Sequence, residues 1–174
     1  ESFKVNEVVT DHFIQMKSGP RYDAYVNTKG LVFNAQGVKF SVGGTLLEQG
    51  SARIELKDGK ITHPRFARAA IVREKVTEEY FFENNRVEQL FKIPAPIGQG
   101  ALRVSMNVNT NLNGKVEQIT KDTKGWKSME LENGGGLVFS KGKQSLSYYG
   151  AMAFDAAGKK IKLQPQYNNS VITL

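Results

Sequence analysis

The chain has 174 residues, 40% of them apolar and 24% charged, with a formal net charge of +7; this ordinary balance does not indicate disorder and leaves room for a sizeable core. There is no cysteine, which removes disulfides, thiol nucleophiles and cysteine-held zinc or iron–sulfur sites together. No apolar run approaches the roughly 20 residues that a membrane-spanning helix needs; a start at Glu1 with no Met and no basic-plus-apolar leader is what a chain freed of a signal peptide, or made without one, would show.

In chain order, turn signals begin with Ser18-Gly19-Pro20, Thr28-Lys29-Gly30 and Gly43-Gly44. They recur to the end of the chain, separated by short runs rich in Val, Ile, Phe, Tyr and Thr. This spacing predicts an all-β protein, an antiparallel β-sandwich of two packed sheets with about twelve to fourteen strands and little or no helix. The expected organisation is one β-sandwich domain over residues 1–174, with room for a smaller N-terminal lobe over residues 1–83 that ends at the polar stretch 83–86.

Residues 34–37 read as a turn opened by Asn34 and closed by Gly37. Asp58-Gly59, a pair suited to a tight type I′ turn, predicts a hairpin between residues 52–56 and 60–62. The best helical candidate, residues 68–79, carries β-branched Val72, Val76 and Thr77 and lacks a cap, so strand or loop is expected instead. In residues 86–110 a Pro-Pro-Gly-Gly corner leads into an alternating strand. Leu102, Val104, Met106 and Val108 should face the core, with Arg103, Ser105, Asn107 and Asn109 outward. Asp155 should open a final turn closed by Gly158.

Chemistry is sparse. His12 and His63 are the only histidines, and neither has a second ligand at zinc spacing. With no cysteine and no G-x-S-x-G, a hydrolase triad has no starting point. Glycoside hydrolysis would need two opposed carboxylates. Glu78 and Glu79 alternate faces on one strand with Glu83 and Glu88 nearby, and solvent-facing strand charges are the expected reading. Gly134-Gly135-Gly136 lacks the Gly-Lys-Ser/Thr of a phosphate loop and reads as a loop or bulge. Asn168-Asn169-Ser170 matches a glycosylation sequon. No cofactor or metal is expected.

Aromatics offer the recognition surface. Trp126, between Lys124-Gly125 and Lys127, could stack on a sugar ring or a base, or fill the core. Tyr80-Phe81-Phe82 and Tyr148-Tyr149 must each turn one aromatic away from the core. The basic residues are mostly scattered, with the densest clusters at Arg65, Arg68, Arg73 and Lys75 and at Lys159, Lys160 and Lys162. That scatter suits solubility and edge protection, and a nucleic-acid partner rests on charge alone.

Two stretches resemble a known family. Arg86-Val87-Glu88-Gln89-Leu90-Phe91, followed by Pro94, Pro96, Gly98 and Gly100 and then Ala101-Leu102-Arg103-Val104, is similar to part of the β-rich N-terminal domain of large secreted bacterial proteins with FG-GAP or SBBP-type repeats. The second stretch runs from Gly136-Leu137-Val138-Phe139 to Asp155-Ala156-Ala157-Gly158-Lys159. Val87 and Leu90 stand where that family often has Leu and Gly. The resemblance implies an exported or cell-surface β domain without established enzymatic activity, next to repeat domains of the same polypeptide; its matched positions are turn and core types and transfer no functional residue. The expectation is a non-catalytic secreted or cell-surface domain that mediates binding or assembly, with protein or polysaccharide as partner. A carbohydrate-binding module using Trp126, Tyr80, Tyr148 and Tyr149, with Arg65 and Arg68 as charged neighbours, is the alternative. A carbohydrate-active enzyme is a further one.

Overall fold

β-Branched and aromatic runs between glycine-rich turns favour extended backbone. The computed structural model describes residues 5–120, 122, 123, 125 and 134–174, and over these it consists of strands, turns and loops with no helix. The first strands are β1 (Val5–Val9), β2 (Phe13–Ser18), β3 (Tyr22–Asn27), β4 (Gly30–Ala35), β5 (Val38–Gln49), β6 (Ala52–Glu55), β7 (Lys60–Thr62), β8 (Arg68–Val72) and β9 (Thr77–Phe82). There follow β10 (Val87–Lys92), β11 (Leu102–Thr110), β12 (Lys115–Ile119), β13 (Gly136–Lys141), β14 (Gln144–Tyr149), β15 (Met152–Phe154), β16 (Lys160–Lys162), β17 (Gln166–Asn168) and β18 (Val171–Thr173).

They form a nine-stranded sheet in the order β1-β2-β3-β4-β5-β11-β18-β17 with β6 beside β5, a four-stranded sheet β10-β9-β8-β7, a three-stranded sheet β12-β13-β14 and the ribbon β15-β16. Pairing is antiparallel throughout the described residues. The all-β, packed-sheet expectation holds, but eighteen strands in four sheets exceed the twelve to fourteen in two. The surplus lies in three- and four-residue strands such as β6, β7 and β15 to β18, which are too short to display a period.

The main core gathers Ile14, Met16, Val26, Phe40 and Val42 of the large sheet, Ile71, Tyr80 and Phe82 of the four-stranded sheet, and Leu137 and Phe139 of the three-stranded one. Phe139 meets Phe40 and Tyr167 edge to face, with ring centroids 5.1 and 5.0 Å apart, a favoured aromatic geometry. A second cluster, Leu47, Val76 and Val104, is closed by Ile54, Ile93, Ile97 and Leu174.

β5 passes from one cluster to the other. Opposite Met106, the ladder to β11 shifts register between Ser105↔Leu46 and Asn107↔Gly43, which is a β-bulge, and Gly44 takes φ +57° within it. Buried positions therefore change phase from Val38, Phe40 and Val42 to Thr45 and Leu47. A bulge adds one residue and turns the following side chains to the other face. On β11 the same irregularity buries Ser105 beside Met106, while Leu102, expected inward, is 38% exposed at the strand's end.

The Pro-Gly corner does carry the chain from the four-stranded sheet at β10 to the large sheet at β11. Residues 68–79 form β8, a turn and the start of β9, as their β-branching suggests. The Asp58-Gly59 hairpin is corrected: β6 pairs with β5 and β7 with β8. Leu56 N–H donates to Thr45 and Gly59 N–H to Thr28, so this segment crosses between sheets rather than reversing. Residues 83–86 are the β9–β10 turn, onto which Ser18 Oγ donates at 2.6 Å to Asn84 O and the Tyr22 hydroxyl at 2.5 Å to Glu83 O.

Candidate functional site

β9 presents Glu78, Tyr80 and Phe82 inward and Thr77, Glu79 and Phe81 outward. The buried glutamate overturns the expectation of a solvated strand charge. It is 1% exposed, and each of its oxygens is bonded. Arg73 Nη1 donates to Oε1 at 2.8 Å, Thr45 Oγ1 to Oε1 at 3.2 Å, and the Tyr80 hydroxyl to Oε2 at 2.7 Å. Arg73 is held in turn by the carbonyls of Lys57 at 2.7 Å and Thr28 at 3.4 Å. Thr45 is available because the β5 bulge turns it inward.

The bonding continues across the sheets. Gln89, directly opposite Tyr80 on β10, donates from Nε2 to the Tyr80 oxygen at 3.0 Å and accepts the Tyr148 hydroxyl on Oε1 at 3.0 Å. A directed chain thus runs from Tyr148 through Gln89 and Tyr80 to Glu78. It joins the three-stranded, four-stranded and, through Thr45, large sheets. Burial first, and then the Glu78 charge, pushes the Tyr80 and Tyr148 hydroxyls well above the usual tyrosine range, so both stay protonated donors. No buried side-chain polar atom among the described residues lacks a partner. The arrangement is a cross-link, with its hydrogen-bonding capacity spent inside the protein.

The candidate recognition residues are thereby divided. Tyr80, expected as a platform, is fully buried; the outward aromatic of its run is Phe81, which lies 4.2 Å beneath the Arg68 guanidinium. Tyr148 joins Tyr80 in the network, whereas Tyr149 faces the other way, 37% exposed and bonded to Arg86, whose guanidinium is held more firmly protonated by Glu83 and then by Tyr149. Arg65 is exposed in the loop before β8. Trp126 lies outside the described residues. His12 is exposed in the β1–β2 turn, and His63 contacts Glu7 of β1. Among the described residues no three His, Asp or Glu side chains could hold a metal together. Gly134, Gly135 and Gly136 have a packing reason, since a Cβ on any of them would lie within 2.5 Å of Ala151 O, Gln164 Oε1 or Tyr148 O.

The open polar surface lies on the other side of the large sheet. The β2–β3 and β4–β5 turns stand at the same end, and a trough of about 960 Å³ runs between them over β2 to β5 and β11. Register places its side chains in two rows. Gln15, Tyr25, Val32, Ser41 and Asn109 are successive cross-strand partners, as are Lys17, Asp23, Asn34 and Lys39, with Asn111 next to Lys39. Tyr25 is braced edge to face by Phe13 at 6.5 Å, and Asp23 accepts from Gln15 Nε2 at 2.9 Å. This face is not legible in any single strand, because its rows are made by cross-strand partners. The alternation Tyr22, Ala24, Val26 against Asp23, Tyr25, Asn27 was the available signal.

The fold and these two surfaces define an all-β protein of packed antiparallel sheets with one closed and one open polar region. No family model, no curated protein and no solved structure matches the chain. Among the described residues no helix is long and apolar enough to cross a membrane.

Proposed function

We propose that this chain is a non-catalytic binding domain whose ligand lies in the trough across β2 to β5 and β11, and that the ligand is an extended polysaccharide. The carrying observation is the pair of aligned rows. They set Tyr25 among amide, hydroxyl and both signs of charged group over five strands, a span of about 19 Å at about 4.8 Å per strand spacing. A braced aromatic face packs against the apolar side of a sugar ring, while amides and carboxylates bond its hydroxyls. An exported or cell-surface setting beside repeat domains follows from the sequence resemblance.

The disposition of the carboxylates supports a non-catalytic role. Glu78 is tied to Arg73, Glu79 is paired with Lys92 at 2.9 Å and Glu83 with Arg86 at 2.5 Å. Binding to a panel of bacterial and plant polysaccharides, measured by affinity electrophoresis or calorimetry, is the test. Tyr25→Ala should weaken binding roughly tenfold or more. A panel without a binder, or binding indifferent to Tyr25 and Asn34, would remove the reading.

A further inference from the structure

The ribbon β15-β16 stands apart from the three larger sheets, and both of its faces carry apolar side chains in the open. Register pairs Phe154 with Lys160 and Ala153 with Ile161. Paired residues share a face and successive ones alternate, so Phe154 and Ile161 point to opposite sides. They are 53% and 48% exposed. A two-stranded ribbon is marginal alone, and this one is held at its root: Ala151 N–H donates to Gly135 O at 3.2 Å, Leu163 N–H to Ala151 O at 2.9 Å and Gly135 N–H to Leu163 O at 2.9 Å. Its tip is ordered by Asp155, whose Oδ1 accepts from Ala157 N–H at 2.9 Å and Lys159 N–H at 2.8 Å.

Charge along the ribbon has one dominant sign. Lys159, Lys160 and Lys162 are exposed, and Asp155, the only acidic residue from 152 to 162, is turned onto its own backbone. Lys160 Nζ lies 5.7 Å from the centre of the Phe154 ring, so the cation rides on the aromatic group.

We infer that this ribbon is an arm that enters an anionic lipid surface tip first. A flat protein partner covers one face of a ribbon and leaves the other wet. A bilayer interface surrounds the tip and covers Phe154 and Ile161 together. Three paired residues extend about 10 Å, comparable to the 5–10 Å over which interfacial segments bury apolar groups. Lysines beside that apolar end meet the anionic headgroups. This surface belongs to a different sheet from the trough and stands or falls independently of it.

Flotation of the folded chain with vesicles tests it, using phosphatidylcholine alone and phosphatidylcholine mixed with phosphatidylglycerol. The chain should float with the mixed vesicles and not with the neutral ones. Phe154→Ser and Ile161→Ser should each lower partitioning roughly tenfold. Replacing the three lysines by Gln should lower it roughly a hundredfold at low salt. All these positions are exposed, so an unchanged melting curve confirms the fold in each variant. Failure of the unmodified chain to float overturns the inference. So does flotation that is unaffected by Phe154→Ser, or capture by heparin beads that matches vesicle binding and is equally indifferent to Phe154, because either result would mean charge without insertion.

Discussion

The inner face of β9 and β10 and the outer face of β2 to β5 are both rich in hydrogen-bonding groups, and they differ in where those bonds end. Inside, Glu78 accepts from Arg73, Thr45 and Tyr80, and Tyr80 also accepts from Gln89. Outside, Gln15 and Asp23 bond each other, while the Tyr25 ring and the side chains of Asn34 and Asn109 line open space. The same residue types do two jobs according to burial. A closed network fixes how sheets sit on one another, and an open row leaves capacity for a ligand.

The comparison breaks most sharply at Arg73. Arg73→Ala leaves Glu78 buried and uncompensated, and removal of one member of a buried pair costs about 3–5 kcal/mol. Urea denaturation should show a loss of that size. A loss below about 1 kcal/mol would mean that water reaches Glu78 and that the inner region is not closed. The double variant Arg73→Met with Glu78→Leu should recover much of the loss, because an apolar pair leaves no stranded charge.

Tyr80→Phe is the next step down. It removes the donor to Glu78 Oε2 and the acceptor for Gln89 Nε2 while keeping the ring. Leaving buried partners unmatched costs about 1–3 kcal/mol, again measured by denaturation. If the tyrosine served as a ligand platform, the substitution would change ligand affinity and spare stability. Burial predicts the opposite.

How much of this division the sequence disclosed varies from element to element. β11 was legible because Val104, Met106 and Val108 alternate with polar residues, and a half-buried strand requires that pattern. The bulge opposite Met106 was not, because a register shift needs two strands to define it. β9 was ambiguous for a different reason. Glu78-Glu79-Tyr80-Phe81-Phe82 places a carboxylate and an aromatic on each face, so alternation cannot choose which face is buried. The partners that decide it arrive from elsewhere, Thr45 from β5, Gln89 from β10 and Arg73 from the β8–β9 turn. Asp58-Gly59 failed as a turn because local preference was overridden by bonds from Leu56 to Thr45 and from Gly59 to Thr28. A tight turn does form at Gln36-Gly37, with φ 50° and 85°, inside the turn expected over residues 34–37, and another at Asn169-Ser170, with φ 49° and 62°. Each takes the positive φ at both central residues that type I′ demands.

Alkaline titration sharpens the same contrast with a smaller effect. Burial, reinforced by Glu83, pushes the Tyr22 hydroxyl from 10.0 up to about 12. The folded state therefore holds that proton more tightly than the unfolded chain. The stabilisation is fully present below pH 10 and is lost as pH rises toward 12. Stability measured by denaturant midpoint should fall across that window, and Tyr22→Phe should flatten the fall. Absorbance at the tyrosinate band should show the Tyr22, Tyr80 and Tyr148 hydroxyls ionising only above the usual tyrosine range in the folded protein. Ionisation of these three within the usual tyrosine range would contradict the closed interior.

The smallest effect on stability should come from the outer face, and there the two regions should separate completely. Tyr25→Ala removes a ring that touches Phe13 on the outer face and closes no buried bond, so its cost should stay near the roughly 0.5 kcal/mol typical of surface changes, about a tenth of the Arg73→Ala loss. Polysaccharide affinity should move the other way, down roughly tenfold for Tyr25→Ala and unchanged for Tyr80→Phe once folding is allowed for. Measured on one set of variants, the two columns of numbers should be nearly uncorrelated. A variant set in which stability and affinity fall together would mean that the trough depends on the network beneath it, and that the two polar faces act as one.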